Sequence, residues 1–496
     1  MKAYEQAAAK FAEIQKLQAV STQLFWDSKT MMPVSASSGR GEQIGALTQV
    51  VHEKSTDKEL TDLINDAEQE HNELDDWQRA NVREMKRLNV HAHAVAGDTA
   101  VAFAKARNDA GVAWVNAKAN NDFNSFQPHL EKVFGLQIEI AQAKAETLGL
   151  GVYDALLDEH DPGSSTAEID RLFGELEAFL PDFVREVSQR QTEPVPLGTV
   201  DTGLQDSFIR TVIQRIGWPE DGRLDHTEHP FAMAGSPGDP RITTHYDADN
   251  VMFTMMAAFH ECGHGMYELN LPKNDYAYQP VGLYRGGSTH ESQSLGVEMM
   301  ACRSEEFLGW LFPRLRDAFS VSGDAWTDEN LMAHYRRVQP SFIRIKADEV
   351  TYPLHVILRY NLEQRILNGD LAIADIPDAW DNEIERLLGI RPPSLSEGCL
   401  QDVHWSMGLI GYFPTYLLGA LKAAQFFDAA KRSKDELLPA LAEGEFAPWM
   451  DWLKDNVHQH ASFYSAGELA ERATGSQLAT TALIAHFEER YGEAIL

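Results

Sequence analysis

Apolar residues recur three or four positions apart through most of this 496-residue chain, with few β-branched runs between them. The stretch FQPHLEKVFGLQIEIAQAKAETLG is one example. This spacing lines one face of an α-helix, whereas a half-buried strand alternates every second residue. From Glu193 to Tyr246 the pattern changes to turns rich in Pro and Gly, with short β-favouring segments. The sequence therefore predicts a mainly α protein with one small β-sheet.

The chain is strongly acidic, with 75 Asp and Glu against 43 Lys and Arg and a formal net charge of -32. Binding to nucleic acid or to an anionic membrane depends on clustered basic residues, so we expect neither partner. We find no run of the roughly 18 apolar residues that a membrane span requires, and no signal-peptide pattern in the opening residues. The three cysteines, Cys262, Cys302 and Cys399, are odd in number and far apart, which favours reduced thiols and a cytoplasmic protein.

Two histidines four residues apart lie in the segment MMAAFHECGHGMYELN. On a helix, His260 and His264 are about 40° apart, so both imidazoles can reach one metal ion from successive turns. Glu261 flanks that face and is placed to contact a water molecule at the metal. The alternative is an ordinary buried helix that matches a short pattern by chance. The apolar residues before the motif and the glycines within it favour the metal site.

The helix that carries this motif is predicted to begin after Asp249 or Asn250, either of which can cap it. Cys262 lies on the far side from the histidines and is predicted to pack in the core. Gly263 and Gly265 each cost about 1 kcal/mol of helix stability relative to Ala. We therefore expect another part of the protein to approach the helix backbone there.

A hydrolytic zinc site needs a third protein ligand, and Glu291 in STHESQS is the candidate. It opens the next helical pattern, 27 residues after His264, which suits a helix returning antiparallel. Ser288 and Glu291 also have the S-x-x-E spacing of a capping box, which needs no metal. Spacing alone leaves both interpretations open.

Six short motifs in the chain resemble, in order, the signature series of the carboxypeptidase Taq family of metallocarboxypeptidases. They are HPF (229–231), DPRITT (239–244), HECGH (260–264), HESQS (290–294), IRIKAD (343–348) and GCLQDVHW (398–405). The segment FWDSKTMMPVSASSGRGEQIGAL near the start also resembles the opening of that family. The likeness therefore extends over nearly the whole chain.

The resemblance implies a helical gluzincin-type fold with a deep substrate cleft and a small β-sheet near the active site. We expect residues 1–496 to form a single catalytic domain, with the helices of about 1–120 as one wall or lid of the cleft. The resemblance implies Zn²⁺ as the cofactor, with Co²⁺ able to substitute, and a homodimer acting on peptides. His260, His264 and Glu291 would be the metal ligands, and Glu261 the catalytic acid/base.

Donors for the oxyanion of the reaction are expected beyond the metal. We predict His404 and Tyr412 for this role, with Tyr416 a weaker candidate. His404 could instead be a core histidine, and Tyr412 an aromatic side chain packed at a helix start. Gln401 and Asp402 could orient His404 or cap a local turn, and the sequence leaves their roles open.

An exopeptidase must bind a free carboxylate, for which the planar guanidinium is the natural partner. Arg241 in DPRITT and Arg344 in IRIKAD are the predicted substrate-binding residues. The alternative for Arg344 is an (i, i+4) ion pair with Asp348 on a helix that starts near Pro340. With the cation first, that order gives the weaker helix support, which favours a role in binding.

The predicted function is metal-dependent release of single C-terminal residues from peptides, with broad specificity, through a metal-activated water and a glutamate acid/base. One alternative is an endopeptidase or dipeptidyl carboxypeptidase with a related helical cleft, because the metal motif does not determine where a peptide is cut. A second is a helical scaffold protein with structural zinc. The spacing of the cysteines argues against a closed structural site.

Overall fold

The computed structural model describes residues 2–95 and 97–492 and is mainly α-helical, as predicted. Its α-helices, in chain order, are α1 (Ala3–Thr30), α2 (Ser37–Ser55), α3 (Lys58–Gln69), α4 (Asp76–His93), α5 (Gly97–Asn120), α6 (Phe123–Leu148), α7 (Val152–His160), α8 (Thr166–Arg190), α9 (Thr202–Ile216), α10 (Val251–Asn270), α11 (Gly286–Leu295), α12 (Glu305–Phe319), α13 (Asp328–Tyr335), α14 (Tyr352–Leu367), α15 (Ile376–Leu388), α16 (Pro414–Ser433), α17 (Leu437–Ala442), α18 (Ala447–Asn456), α19 (Ala466–Thr474) and α20 (Thr481–Tyr491). Short 3₁₀ turns occur at Val34–Ala36, His71–Glu73, Pro280–Gly282, Asp324–Trp326, Arg344–Lys346, Ile373–Asp375 and His458–His460. A π-helical turn spans Gly296–Ala301. Among these described helices, none is both long enough and apolar enough to cross a membrane.

The chain forms two compact units, each built from separate stretches of sequence. Unit 1 comprises the described parts of 1–92, 193–335 and 419–478, and unit 2 those of 93–192, 336–418 and 479–496. The segment 1–120, expected to act as one wall or lid, is thus divided between the two units. Its role and the single catalytic domain stay predictions.

The small sheet predicted between Glu193 and Tyr246 is present in unit 1. Its strands are β1 (Arg223–His226), β2 (Ala232–Ala234) and β3 (Pro240–Thr244), in the order β1-β3-β2. β3 is central and pairs in parallel with β1 and antiparallel with β2.

The same region also contains α9, which the prediction of loops had not included. The Asp201 carboxylate caps this helix by accepting hydrogen bonds from the backbone N–H of Gly203 and Leu204, at 2.9 and 3.1 Å. Buried side chains such as Phe208 and Val212 then line one face. Frequent Pro and Gly residues on both sides had obscured this helical spacing.

Apolar burial holds the first helices of unit 1 together. Phe11 and Ile14 of α1 belong to one core cluster with Leu60 and Ile64 of α3 and with Met85 of α4. Full burial of each such side chain stabilises a fold by about 1.5–3 kcal/mol. The 3.6-residue periodicity seen in the sequence is therefore the pattern that this core uses.

The motif helix α10 begins where the sequence predicted. The Asn250 side chain caps it by accepting a hydrogen bond from the backbone N–H of Phe253, at 3.2 Å. A Cβ at Gly263 would lie 2.5 Å from the carbonyl oxygen of Gln293, so α11 can cross at this distance only over a glycine. At Gly265 the indole of Trp218 occupies the space that a Cβ would need. The close approach expected at both glycines is confirmed.

Candidate metal centre

Two histidines of α10 and one glutamate of α11 meet in unit 1. One donor atom from each of His260, His264 and Glu291 lies within 4.8 Å of the other two. The two carboxylate oxygens of Glu291 lie 3.9 Å from Nε2 of His260 and 3.4 Å from Nε2 of His264. The α-helical repeat places the imidazoles one turn apart, and the antiparallel α11 brings the carboxylate to them.

The other ring nitrogen of each histidine is already hydrogen-bonded. Nδ1 of His260 lies 3.0 Å from a carboxylate oxygen of Glu298, and Nδ1 of His264 lies 3.0 Å from the carbonyl oxygen of His290. Both partners are acceptors, so Nδ1 carries the proton in each ring. Nε2 of each ring is then the atom that would coordinate a metal, in place of any proton it carries, which is the usual arrangement of metal-binding histidines.

The charges around this cluster favour a cation. Burial lowers the pKa of His260, but the carboxylates of Glu291, Glu298 and Glu261 together raise it to about 10. Two imidazole nitrogens and a carboxylate are also the donor set of many catalytic zinc sites. The residues present therefore fit a divalent metal ion.

Glu298 is a residue of this centre that the sequence analysis missed. It lies in the π-helical turn after α11, and its second oxygen accepts a hydrogen bond from Nη2 of Arg303, at 2.7 Å. The side chain is 13% exposed, so Arg303 and His260 hold a largely buried carboxylate in place. The sequence did contain one indication of this role, because Glu298 lies seven residues after Glu291, about two helical turns along the chain.

Glu261 follows the first histidine and lies in the same buried environment. The residue is 7% exposed. Burial, with the nearby carboxylates of Glu291 and Glu298, raises the pKa of Glu261 to about 7, although His260 lowers it. Its carboxyl group is thus close to the cluster but is not one of the three converging donors.

The structure rejects the capping-box interpretation of Glu291. α11 begins at Gly286, after Arg285 at the N-cap, so Ser288 already lies inside the helix. The Ser288 hydroxyl instead accepts a hydrogen bond from Nζ of the buried Lys422 on α16. The spacing of Ser288 and Glu291 matched a local motif, but the partner of the serine comes from a distant helix.

α16 also contacts Glu291 directly, through a glycine. A Cβ at Gly419 would lie 2.7 Å from both Cβ and Cγ of Glu291. One turn later, Lys422 also donates a hydrogen bond to the hydroxyl of Thr289, at 3.3 Å. α16 therefore supports the first turns of α11, from which Glu291 projects.

Arg241 lies in unit 1, on β3. Its guanidinium makes a two-pronged ion pair with Asp239, with both N···O distances at 2.9 Å. The side chain is 22% exposed and lies over the ring of Trp26. The predicted carboxylate-binding residue is thus already paired with a carboxylate of its own strand region.

Arg344 belongs to unit 2 and is buried, at 5% exposure. Its Nε and Nη2 donate hydrogen bonds to Oδ1 of Asp402, at 3.2 and 2.9 Å, and Nη1 donates to the hydroxyl of Tyr352, at 3.0 Å. It is not paired with Asp348, whose carboxylate caps the turn at 348–351. The alternative of an (i, i+4) ion pair is therefore wrong, because 344–346 is only a single 3₁₀ turn.

Asp402, whose role the sequence left open, is the centre of this charge cluster. Its second oxygen accepts a hydrogen bond from Nε of Arg359, at 2.7 Å. Burial opposes its charge, but Arg359 and Arg344 hold the pKa of Asp402 well below its usual range. The side-chain oxygen of Gln401 accepts a hydrogen bond from the backbone N–H of Arg344, at 2.8 Å, and so fixes the backbone that carries Arg344.

His404 and Tyr412 also lie in unit 2. Nε2 of His404 is 3.4 Å from the hydroxyl of Tyr416, and its Nδ1 is 3.7 Å from Asp402, beyond hydrogen-bonding distance. Burial lowers the pKa of His404 to about 4, with Asp402 opposing the shift and Arg344 reinforcing it, so the ring is neutral near pH 7. Tyr412 lies 6.1 Å from His404 between ring centroids, just before α16 begins.

Glu363 is a second buried carboxylate that the sequence analysis missed. It accepts hydrogen bonds from the indole N–H of Trp405, at 2.8 Å, the backbone N–H of Gly411, at 3.0 Å, and the hydroxyl of Tyr153, at 2.7 Å. These contacts fix the loop of residues 404–412 at both ends. No short motif marks Glu363, since its partners are more than 40 residues away in sequence.

The chain is mainly helical, and its H-E-x-x-H motif lies on a helix that meets a glutamate from the next helix. These features define the class of helical metallopeptidases. The chain belongs to the Carboxypeptidase Taq (M32) metallopeptidase family, which it matches over residues 6–491. It is 35% identical to thermostable carboxypeptidase 1 of Thermus thermophilus over 479 residues, 94% of each chain. It is 32% identical to carboxypeptidase 1 of Bacillus subtilis over 487 residues, 95% of each.

Solved structures agree with this assignment. Metallocarboxypeptidase 1 of Trypanosoma cruzi superposes with a TM-score of 0.96 at 33% identity, covering 99% of both chains. The M32 carboxypeptidase of Deinococcus radiodurans R1 gives a TM-score of 0.95 at 31% identity, again over 99% of both chains. The predicted family, fold class and enzyme class are confirmed, and the chain is a metal-dependent carboxypeptidase.

Proposed function

We propose that this carboxypeptidase uses Zn²⁺ held by His260, His264 and Glu291, with Glu261 as acid/base, to release single C-terminal residues. The observation that carries the proposal is the arrangement of the two imidazoles. In each ring the Nδ1–H donates a hydrogen bond to an oxygen, and Nε2 lies near the Glu291 carboxylate. Co²⁺ should substitute, since it accepts the same nitrogen and oxygen ligands.

A bound divalent ion would supply an activated water molecule and polarise the scissile carbonyl. The Glu261 carboxylate takes a proton from the attacking water and passes it to the nitrogen of the leaving amine. Its position next to the ligand His260, without being one of the converging donors, supports this role.

Four further residues complete the proposed chemistry. Neutral His404 and the Tyr412 hydroxyl donate hydrogen bonds to the oxyanion, and the low pKa of His404 supports a neutral donor. Arg344 and Arg241 bind the terminal carboxylate of the peptide. Each guanidinium is held in a fixed orientation by an aspartate, which supports a role in orienting a planar anion.

We also propose a cytoplasmic homodimer. The cysteines support a reducing compartment, because Cys262, Cys302 and Cys399 are all buried free thiols. The dimer rests on the motif resemblance, and light scattering on the purified chain tests it directly.

The test of the catalytic assignment separates metal binding from chemistry. Glu261→Gln should retain about one Zn²⁺ per chain at the catalytic centre and lose nearly all peptidase activity, because the ligands remain but the base does not. Glu443→Gln, at an exposed position of the same unit, is the matched control and should change neither. Loss of the metal in Glu261→Gln, or retained activity, would contradict the assignment.

A further inference from the structure

We propose that His226, Glu228 and His245 form a second binding site for a divalent transition-metal ion such as Zn²⁺. One donor atom from each lies within 4.8 Å of the other two. The site lies at the edge of the small sheet and shares no residue with the centre at His260, His264 and Glu291. It does not depend on the function proposed above.

The parallel pairing of β1 and β3 brings the two histidines together. His226, the last residue of β1, is in register with Thr244, and His245 is the next residue. Beyond the strand, the backbone N–H of Thr227 still donates to the carbonyl of Thr244, at 3.0 Å, so the two segments stay adjacent. The imidazole centroids lie 5.5 Å apart.

The nitrogen of His245 that faces this cluster has no hydrogen-bond partner within the described chain. Nδ1 of His245 is buried, and the nearest carboxylate oxygen, on Glu228, is 4.0 Å away. A buried polar atom that lacks a partner costs free energy, and coordination of a metal would satisfy it. Two imidazoles and a carboxylate form a donor set that suits Zn²⁺, with a position left for water.

Binding requires a small contraction, which the exposed side chains can provide. Bonds of about 2.0–2.2 Å to Zn²⁺ place donor atoms roughly 3.5 Å apart. The Glu228 side chain is 85% exposed and can rotate toward the histidines. Nδ1 of His226 makes a long contact, 3.5 Å, with the backbone N–H of Tyr246, at an exposed position where water can replace it.

Equilibrium dialysis of metal-free full-length protein against micromolar Zn²⁺, at physiological salt, tests the proposal. Wild type should bind two equivalents per chain. The double variant His226→Ala/His245→Ala should bind one, and His260→Ala/His264→Ala should retain one. His52→Ala, an exposed histidine of the same unit, controls for general loss of an imidazole and should still bind two.

Glu228→Gln gives a second test that folding cannot confound, because the side chain is almost fully exposed. It should weaken the second equivalent about tenfold or more, since it removes the only anionic ligand. The proposal is overturned if wild type binds only one equivalent, or if the second equivalent persists in His226→Ala/His245→Ala. It is also overturned if His260→Ala/His264→Ala loses both equivalents. Weak general attraction of cations to the acidic chain would appear as binding that no variant changes.

Discussion

Glu298 accepts a hydrogen bond from Nδ1 of His260, across 3.0 Å, while its other oxygen is held by Arg303. This carboxylate fixes the imidazole so that Nε2 faces the Glu291 carboxylate, where the metal is proposed to bind. Removing such a partner typically weakens metal binding about 10- to 100-fold. We expect Glu298→Ala to weaken Zn²⁺ binding by this factor, and Glu298→Gln, which still offers an oxygen, to weaken it less.

Competition with a chromophoric chelator measures the affinity at this site. Glu443→Ala, at an exposed position of unit 1, serves as the control and should bind Zn²⁺ as wild type does. Equal affinities for Glu298→Ala and wild type would show that His260 needs no carboxylate to orient it.

Gly419 allows α16 to lie against Glu291, and the second prediction concerns this contact. In Gly419→Ala, the new methyl group would lie 2.7 Å from Cβ and Cγ of Glu291, so the glutamate must move. We expect Zn²⁺ affinity to fall about tenfold or more, because tight binding requires each ligand to be held in its correct position.

Gly309 in α12 provides the matched control for this substitution. A Cβ there would meet no atom within 4 Å, so Gly309→Ala should leave the metal affinity unchanged and stabilise the helix by about 1 kcal/mol. If both variants bind Zn²⁺ equally well, the packing of α16 does not position Glu291.

The third prediction tests whether Arg344 recognises the peptide terminus. Amidation of the C-terminus removes the charge that a guanidinium binds, so cleavage of amidated peptides should fall by orders of magnitude. Arg344→Lys keeps the charge but loses the two-pronged geometry, and should reduce both turnover and the preference for free-acid peptides. An N-terminal acetyl group should have little effect.

Arg359→Lys separates recognition from packing. Arg359 also pairs with Asp402, but its side chain is 0% exposed, against 6% for Arg344. Arg359→Lys should therefore keep the free-acid preference even where it lowers activity. Equal cleavage of free and amidated peptides by wild type, or internal cuts among the first products, would contradict C-terminal recognition.

The fourth prediction concerns Asp402, the shared anion between Arg344 and Arg359. Asp402→Asn leaves two buried guanidinium groups without their carboxylate, which should lower the free energy of unfolding by about 3–5 kcal/mol. Urea denaturation at pH 7 measures this loss. Asp370→Asn, at an exposed site of unit 2, should have an effect near zero.

The effect of Asp402→Asn should depend on pH in one direction. The two arginines hold the pKa of Asp402 below its ordinary value of 3.8, so its charge stabilises the fold above that pH. This stabilisation is lost as the pH falls below 3.8 toward the folded-state pKa. The difference between wild type and Asp402→Asn should thus be full at neutral pH and shrink in acid. A difference that grows in acid would show that the ion pairs do not stabilise the fold.

The local features of this protein could be predicted from sequence because they depend on residues close together along the chain. Asn250 caps α10 because its side chain reaches a backbone N–H three residues on. His260 and His264 share a face because an α-helix turns every 3.6 residues. The cost of Gly263 also pointed to a close approach, although not to what approaches.

The partner of each polar side chain, in contrast, depends on how the folded chain packs. Arg344 had a carboxylate four residues away at Asp348, yet it pairs with Asp402, 58 residues away. Ser288 had the spacing of a cap, yet it binds Lys422. Buried charges and hydroxyls must be satisfied by whatever the folded chain brings to them, and sequence spacing does not encode distances between distant segments.

The same limit applies to the metal centre. Glu291 could be proposed as a ligand from its motif, but only the antiparallel crossing of α10 and α11 places its carboxylate near both histidines. The orienting role of Glu298 depends on the turn that follows α11. The contact between Glu291 and Gly419 depends on a helix more than 120 residues further along the chain. The helices and the chemistry of their side chains could be predicted from local sequence. The packing of those helices determined which side chains meet, because contacts across distant segments form only when the core is assembled.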